Sequence, residues 1–191
     1  MILGHGVAQS FSQGFTKFLF IMITKATIED VEALNKLVHS AYRGESSKKG
    51  WTFEADLLGG IRTTEKSLLE TIQTPKTSIF KYSENGEILG CVMLQEKDDA
   101  LYLGMLTVAP DLQGGGIGKK LLKFADTYAQ DKQLPKIEMT VISVRSELIA
   151  WYERHAYVKT GETKPFPMDD PNFGEPKQFL EFIVMEKLVR N

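Results

Sequence analysis

The sequence predicts an α/β (α+β) domain in which a mixed sheet is flanked by helices, and three observations predict it. Apolar residues change from helical spacing to strand-like runs and back, so that strands come before, between and after the helices. The pair Asn85-Gly86 separates two such runs, and this dipeptide is a strong signal for a β-hairpin. The runs at residues 88–94 and 101–108 are apolar almost throughout, which is typical of strands covered on both faces.

The first third of the chain is predicted to hold one strand and three helices. Residues 22–26 are a short strand candidate. Thr27 begins a variant of the capping box and precedes apolar residues at helical spacing, so a helix is expected to start there. Residues 43–50 contain Gly, Ser and Lys and predict a loop. Thr52 and Thr64 are expected to cap two further short helices.

The rest of the chain is predicted to alternate between strands and helices. Strands are expected at residues 77–82, 87–95, 100–108, 136–142, 157–163 and 179–186, and helices at residues 117–128 and 147–155. Cys91 is expected to be a small core residue of its strand, and Trp151 a core residue rather than part of a cofactor site.

Composition excludes several classes of protein. The chain has 191 residues and a mass of 21.5 kDa, which fits one domain. Its formal net charge of -2 removes the electrostatic argument for nucleic-acid binding. A single cysteine excludes an internal disulfide and makes a cytoplasmic setting the default. No stretch approaches the roughly 20 apolar residues that span a membrane.

Residues 1–21 differ in composition from the rest of the chain, since Lys17 is their only Lys, Arg, Asp or Glu. This segment is expected to be a disordered leader, a remnant of cloning or an upstream mis-start. The domain is then expected to run over residues 22–191.

A glycine-rich turn at residues 113–118 carries the most informative pattern. It comes after the strand residues Leu106-Thr107-Val108 and opens a helix. Glycines let the backbone approach a ligand closely, and the N–H groups at a helix start favour phosphate oxygens. Lys119 and Lys120 add positive charge at the same end. The turn therefore predicts a site for a phosphate-bearing ligand, the alternative being a glycine-rich connection without one.

Spacing within this turn excludes two common phosphate sites. A P-loop needs a glycine where Gln113 stands, and a serine or threonine where Lys120 stands. A dinucleotide-binding fingerprint needs a third glycine where Lys119 stands.

The pattern Gln113-x-x-Gly116-x-Gly118 after a Leu-x-Val strand resembles the signature of the GNAT superfamily of acetyl-CoA-dependent N-acetyltransferases. The order of the predicted elements over residues 22–188 is also similar to that family. The resemblance implies a mostly antiparallel sheet of about six or seven strands flanked by helices. It also implies acetyl-CoA as co-substrate and no metal.

The resemblance further implies which residues contact acetyl-CoA. Backbone groups of the strand would bind the pantetheine arm, and N–H groups of the glycine turn, with Lys119, would hold the pyrophosphate. Arg145 departs from the family, which commonly has an asparagine there that contacts CoA; the resemblance implies no role for an arginine, although its side chain could reach a CoA phosphate. The candidate cofactor-binding residues are Leu106, Thr107, Val108, Gln113, Gly114, Gly115, Gly116, Ile117, Gly118, Lys119 and Arg145.

Tyr152 is the candidate catalytic residue. It stands where the family has a tyrosine that protonates the departing CoA thiolate, although Ala156-Tyr157 replace the usual Gly-Phe. A phenol with a pKa of about 10 is protonated at neutral pH and can donate that proton. The alternative is a helix position anchored by its hydroxyl. Some lysine-directed members carry a glutamate base on the motif strand, and Tyr102 occupies that position here.

Residues 42–54 form the candidate acceptor-binding segment, because aromatic, charged and glycine residues on a loop are typical of specificity elements. The candidate substrate-binding residues are Tyr42, Arg43, Glu45, Trp51 and Glu54. The alternative is a solvated loop that Trp51 anchors to the core. A second candidate is a lid at residues 164–176, and acidic groups in both segments favour a cationic amine acceptor.

Together with the resemblance, these residues predict an N-acetyltransferase in which a primary amine attacks acetyl-CoA directly in a ternary complex. The acceptor is expected to be a small-molecule or peptidyl amine, with neither nucleic acid nor a membrane as partner. Homodimers are common in the family, so the resemblance also makes a homodimer a candidate assembly. The alternatives are a non-catalytic acyl-CoA-binding sensor and the transfer of another acyl group.

Overall fold

The structure is a computed structural model that describes residues 23–43, 47–50, 53–170 and 173–189. Its α-helices are α1 (Val31–Tyr42), α2 (Glu65–Gln73), α3 (Ile117–Asp131) and α4 (Ser146–Glu153), with 3-10 turns at Ile28–Asp30 and Pro110–Leu112. Its strands are β1 (Ile23–Lys25), β2 (Leu58–Gly59), β3 (Thr77–Glu84), β4 (Glu87–Glu96), β5 (Leu101–Val108), β6 (Lys136–Ile142), β7 (Val158–Pro165), β8 (Glu175–Pro176) and β9 (Glu181–Leu188).

Seven strands form the central sheet in the order β1-β3-β4-β5-β6-β9-β7, and two-residue strands β2 and β8 pair separately. Every neighbouring pair is antiparallel except β5 with β6. The prediction of a mixed, mostly antiparallel sheet of about six or seven strands flanked by helices is therefore confirmed.

Local sequence explains where several elements begin. Thr27 and Asp30 form the capping box, in which the Thr27 N–H donates to the Asp30 carboxylate at 2.8 Å. Thr64 caps α2 by accepting from the Ser67 N–H at 3.0 Å. The predicted hairpin joins β3 to β4 through Asn85-Gly86, where both residues have positive φ, as a type I′ turn requires.

The predicted short helix after Thr52 is wrong for residues 53–57, and Thr52 itself lies outside the described residues. The Glu54 carbonyl accepts the N–H groups of Leu57 and Leu58, which closes a single turn. Leu58 then enters β2 opposite Pro176 of β8. A tertiary strand pairing thus replaces the helix that the cap predicted.

Two hydrophobic cores lie on opposite faces of the sheet, because neighbouring strand residues alternate between faces. Ile79 and Cys91 pack under α1 and α2, whereas their neighbours Phe80 and Val92 pack with α3 and α4. No helix in the described part of the chain is both long and apolar enough to cross a membrane.

The sheet opens at its centre, and this opening positions the site. β5 and β6 pair only through Leu101 with Ile137 and Tyr102 with Glu138. Beyond these pairs β5 carries a bulge, because two of its residues lie opposite one residue of β4 and Met105 has φ 49°. Among the described strands, none pairs with the C-terminal half of β5 on that edge.

Candidate active site

A first cleft, the glycine-loop cleft, lies between the end of β5, the glycine turn and α4, and encloses about 290 Å³. Its wall is mainly apolar, with Lys119 as the charged residue at the turn. The lining residues are Tyr42, Leu106, Val108, Leu112, Gln113, Gly114, Gly116, Gly118, Lys119, Leu148, Trp151, Tyr152 and His155.

The glycine turn has a conformation that requires glycine at two positions. Gly114 has φ 86° and Gly116 has φ 87°, and both face open space where a Cβ would stand. Gly116 is also the N-cap of α3, so the first N–H groups of that helix have no intrahelical partner. The turn therefore offers backbone donors and room for a ligand at the positive end of a fifteen-residue helix.

The exposed edge of β5 supplies further backbone groups. Since the Ala109 N–H donates to the Leu89 carbonyl on the β4 side, the peptide groups of Val108 point to the opposite, open side. The Val108 carbonyl accepts the Gln113 side-chain amide at 3.0 Å, and the Leu106 carbonyl accepts the Tyr42 hydroxyl at 2.8 Å. Gln113 thus holds the turn against the strand.

Trp151 packs against the core, as the sequence predicts, and it also lies on the wall of this cleft. It is half-buried, and a Cβ at Gly118 would lie 3.5 Å from its ring. The ring packs against His155 with a centroid distance of 4.3 Å and a tilt of 43° between the ring planes, and His155 Nδ1 lies 2.8 Å from the Trp151 carbonyl oxygen. Helix α4 therefore places an aromatic side chain against the glycine turn.

A second cleft, the arginine cleft, lies along the gap between β5 and β6 and encloses about 140 Å³. Its described charged lining residues are Glu54, Arg62 and Arg145, and its lining also includes several aromatic residues. Other lining residues are Tyr42, Leu58, Tyr102, Leu103, Gly104, Met105, Leu106, Met139, Thr140, Val141, Ile142, Leu148, Tyr152, Phe166, Phe173 and Phe182.

A buried ion-pair chain forms the floor of the arginine cleft. Glu54 pairs with Arg43 at 3.1 Å and with Arg145 at 3.8 Å, and all three side chains are nearly inaccessible. Arg145 also pairs with the more exposed Glu147 at 2.7 Å. Arg43 in addition donates to the Tyr42 carbonyl at 3.1 Å. Each guanidinium therefore has a carboxylate partner, as buried charges require.

Arg62 differs from these two arginines. It is half-buried, and its guanidinium carbon lies 5.1 Å from the centre of the Tyr42 ring. Within the described part of the chain it has neither a hydrogen bond nor an ion pair. Nothing in the sequence pattern around Arg62 identifies it, because it comes after a two-residue strand and a glycine.

Tyr152 lies where the two clefts meet, together with Tyr42, Leu106 and Leu148. The residue is buried, yet its hydroxyl has no hydrogen-bond partner among the described residues. Burial raises the pKa of Tyr152 far above its usual value, with smaller contributions from neighbouring groups such as Tyr42 and Tyr157. The phenol is therefore protonated at neutral pH and free to donate.

The structure separates the predicted cofactor-binding residues into three groups. Thr107 and Ile117 bury their side chains, which leaves only backbone groups for a ligand, and alternation along β5 directs those of Thr107 toward β4. Arg145 lies in the arginine cleft and not at the glycine turn, because it pairs with Glu54 and Glu147. The remaining candidates belong to the turn or to the open edge of β5.

The structure describes three of the five residues that are predicted to bind the acceptor. Tyr42 and Glu54 line the arginine cleft, whereas Arg43 lies behind it as the partner of Glu54. Glu45 and Trp51 lie outside the described residues.

The segment predicted as a lid contains the end of β7 and all of β8, and two of its phenylalanines, Phe166 and Phe173, line the arginine cleft. Its acidic residues are not among those that line it.

Two further candidates have structural roles. Cys91 is fully buried, and burial raises the pKa of its thiol to about 12, so it is the core residue that the sequence predicted. Tyr102, which replaces the glutamate of some family members, lies 2.9 Å from the Thr140 hydroxyl across β5 and β6. No cluster of His, Cys, Asp or Glu within the described ranges could hold a metal ion.

Comparison with known proteins shows which family the chain belongs to. Residues 33–157 match the acetyltransferase (GNAT) family, which covers 125 of the 191 residues. Over 138 residues the chain is 29% identical to an amino-acid acetyltransferase of Ralstonia nicotianae (strain ATCC BAA-1114 / GMI1000). That match covers 71% of this chain but only 26% of the relative, so the chain spans about a quarter of its length.

Solved structures show the same fold. The ribosomal-protein-S18-alanine N-acetyltransferase of Escherichia coli superimposes with a TM-score of 0.65 at 17% identity, covering 88% of this chain and 94% of that one. An N-acetyltransferase from Staphylococcus aureus Mu50 gives 0.67 at 14% identity, covering 88% and 97%. A Bacillus anthracis putative streptothricin acetyltransferase, solved in complex with acetyl coenzyme A, gives 0.53 at 20% identity, covering 62% and 66%. The chain belongs to the GNAT family of N-acetyltransferases.

Proposed function

We propose that this enzyme transfers the acetyl group of acetyl-CoA to a primary amine by direct attack in a ternary complex. The observation that carries the proposal is the meeting of two clefts at Tyr152 and Leu106. One cleft suits a phosphate-bearing cofactor, the other suits a small acceptor, and both reach the same phenol and the same strand edge. Direct transfer needs both reactants to be bound side by side.

The glycine-loop cleft fits acetyl-CoA. The open space over Gly114 and Gly116 gives phosphate oxygens access to backbone N–H groups at the start of α3, and Lys119 adds a positive charge. The free edge of β5 offers peptide groups to an extended chain, as a neighbouring strand would. Acetyl-CoA would supply the acetyl group in an activated form, as a thioester.

The backbone of β5 and the side chain of Tyr152 contribute to different parts of the acetyl transfer. A peptide N–H on the open edge of β5 can polarise the acetyl carbonyl, as an oxyanion hole does. The amine nitrogen forms a bond to the carbonyl carbon, the carbon–sulfur bond breaks, and the Tyr152 hydroxyl gives its proton to the sulfur. The amine loses one proton, and a proton from solvent restores the Tyr152 hydroxyl, so the cycle releases no net proton. Orientation in the two clefts supplies most of the acceleration, and the acid adds about 10²–10⁴-fold.

Calorimetric titration tests the cofactor, with acetyl-CoA as ligand and NADH and adenosine 3′,5′-bisphosphate as comparisons. We expect saturable acetyl-CoA binding, weaker binding of the bisphosphate and none of NADH. A thiol-reactive dye then measures CoA release with a panel of primary amines. Failure of the folded protein to bind acetyl-CoA would exclude the proposal. Binding without amine-dependent release would indicate a CoA sensor, and faster release from propionyl-CoA would indicate another acyl donor.

A further inference from the structure

The described lining of the arginine cleft carries a net positive charge, and this charge restricts the acceptor. Resting on the function proposed above, we propose that the acceptor carries a carboxylate beside its amine, as an amino acid does, and that Arg62 binds this carboxylate. Arg62 is then the specificity-determining residue of the acceptor site.

Charges in the cleft do not favour a cationic acceptor. Two arginines and one glutamate line it, and that glutamate is held between Arg145 and Arg43. Its two oxygens are thus already occupied by guanidinium groups. Within the described part of the cleft no carboxylate remains for an ammonium group, and the acidic residues of segment 164–176 lie elsewhere. The sequence-based inference of a cationic acceptor therefore finds no support there.

Arg62 has the properties of an anchor for an anion. Arg62 lines the cleft, and its guanidinium carbon lies 5.1 Å from the centre of the Tyr42 ring, within the range of a cation–π contact. A planar guanidinium binds a carboxylate through two parallel N–H···O bonds, and Arg62 has no such partner within the described chain. The hydroxyl of the same Tyr42 donates to the Leu106 carbonyl, so the anchor lies beside the proposed reaction centre.

The positive cleft also assists the reaction. Arginines near an amine favour its neutral form, because a second positive charge close by lowers an ammonium pKa. The neutral amine is the nucleophile. The rings of Phe166, Phe173 and Phe182 form an apolar wall for the rest of the acceptor. A cleft of about 140 Å³ is small for a ligand site, which favours a free amino acid over a peptide.

Matched acceptor pairs test this inference. CoA release is measured for the protein amino acids, β-alanine and 4-aminobutyrate, each beside its carboxamide. The amide loses the carboxylate charge but has the more easily deprotonated amine, so chemistry alone would favour it. We expect the best acid to have a KM at least tenfold below that of its amide.

Variants of Arg62 identify the anchor. Arg62→Ala should raise the KM for the preferred acid about 10- to 100-fold, as expected for a lost charge-assisted pair, and should change the KM for its amide less than about threefold. Arg62→Gln should behave alike, although it keeps a polar side chain with the same aliphatic carbons as far as Cδ. Arg154→Ala, at an exposed arginine outside both clefts, is the matched control and should change neither value. Calorimetry should show acetyl-CoA binding intact in all three.

Each outcome decides the inference. Equal use of acids and amides, or an Arg62→Ala variant with unchanged KM for the acid, would overturn it. A panel that contains no acceptor, in a protein that acetylates other amines such as a polyamine, would overturn it as well. A protein that binds no acetyl-CoA would instead refute the proposed function, so the two failures are distinct.

Discussion

The glycine-loop cleft and the arginine cleft share four residues but are made of different parts of the chain. The first presents backbone groups, from a glycine turn and from the unpaired edge of β5. The second presents charged and aromatic side chains that come from distant segments, among them Glu54, Arg62, Arg145 and Phe166. Backbone recognition suits a cofactor common to a family, whereas side-chain recognition can change with the acceptor.

The largest expected effect concerns the residue at which the clefts meet. Tyr152→Phe removes the proton donor, so kcat should fall about 10²–10⁴-fold while acetyl-CoA affinity stays unchanged. Steady-state CoA release and calorimetry measure the two quantities. Tyr157→Phe is the matched control, because the Tyr157 hydroxyl is buried without a hydrogen bond and lines neither cleft. Unchanged turnover in Tyr152→Phe at saturating acceptor would remove Tyr152 from the acid role.

The next largest effect is expected on protein stability, when the buried ion pairs of the arginine cleft are broken. Glu54→Gln leaves Arg43 and Arg145 buried without their shared carboxylate, which should lower the free energy of unfolding by about 3–5 kcal/mol. Urea denaturation measures it. Glu32→Gln breaks an exposed helical ion pair with Lys36 and should leave stability unchanged within error. Similar results for the two variants would show that the buried chain contributes no more than a surface pair.

A substitution in the glycine-loop cleft should lower the affinity for acetyl-CoA and leave the fold intact. Gly116→Val places a branched side chain in the open space of the turn, so acetyl-CoA affinity should fall at least tenfold. Gly86→Val in the β3–β4 hairpin is the matched control, because Gly86 also has positive φ and open space. Both should lose about 1–2 kcal/mol from backbone strain, and only Gly116→Val should lose affinity. Equal affinities would mean that the turn does not bind the cofactor.

The smallest effect is on the pH profile. Burial raises the pKa of Tyr152, so this acid should stay protonated throughout the range in which the acceptor amine loses its proton. kcat/KM should therefore rise with pH and reach a plateau without a descending limb below about pH 10. A descending limb near pH 8 that disappears in Tyr152→Phe would contradict the burial argument. Far-UV circular dichroism at each pH excludes unfolding as a cause.

The sequence predicted the glycine-loop cleft better than the arginine cleft. The reason is how far apart in the chain the residues of each cleft lie. The glycine turn and the strand before it are contiguous, so that Gln113, Gly116 and Gly118 can be recognised in one short segment. Hairpin and capping signals are local in the same sense, and both were confirmed at Asn85-Gly86 and Thr64.

Arg62 and Phe166 could not be predicted, because only the pairing of β2 with β8 and the gap between β5 and β6 bring them to one cavity. Two-residue strands show no periodicity, and the helix expected after Thr52 failed for that reason. Trp151 packs against the core as predicted, but a helical apolar position does not reveal that it also lines a cleft. The place of Arg145 in the chain does not reveal its partners either, and Glu54 and Glu147 determine where it lies.

The short contact between β5 and β6 has a consequence for motion. Within the described strands, only two residue pairs of the strand register join the ladder β1-β3-β4-β5 to the ladder β6-β9-β7, so less backbone pairing opposes separation of the two halves here than between other neighbouring strands of 8 to 10 residues. The arginine cleft takes one wall from each half, from Gly104 and Met105 on one side and from Thr140 and Val141 on the other. A ligand in the cleft contacts both halves of the sheet and therefore opposes their separation. Ligand binding and separation of the two halves are thus linked equilibria. Slower amide hydrogen exchange along β6 would then report ligand binding, even for a ligand that never reacts.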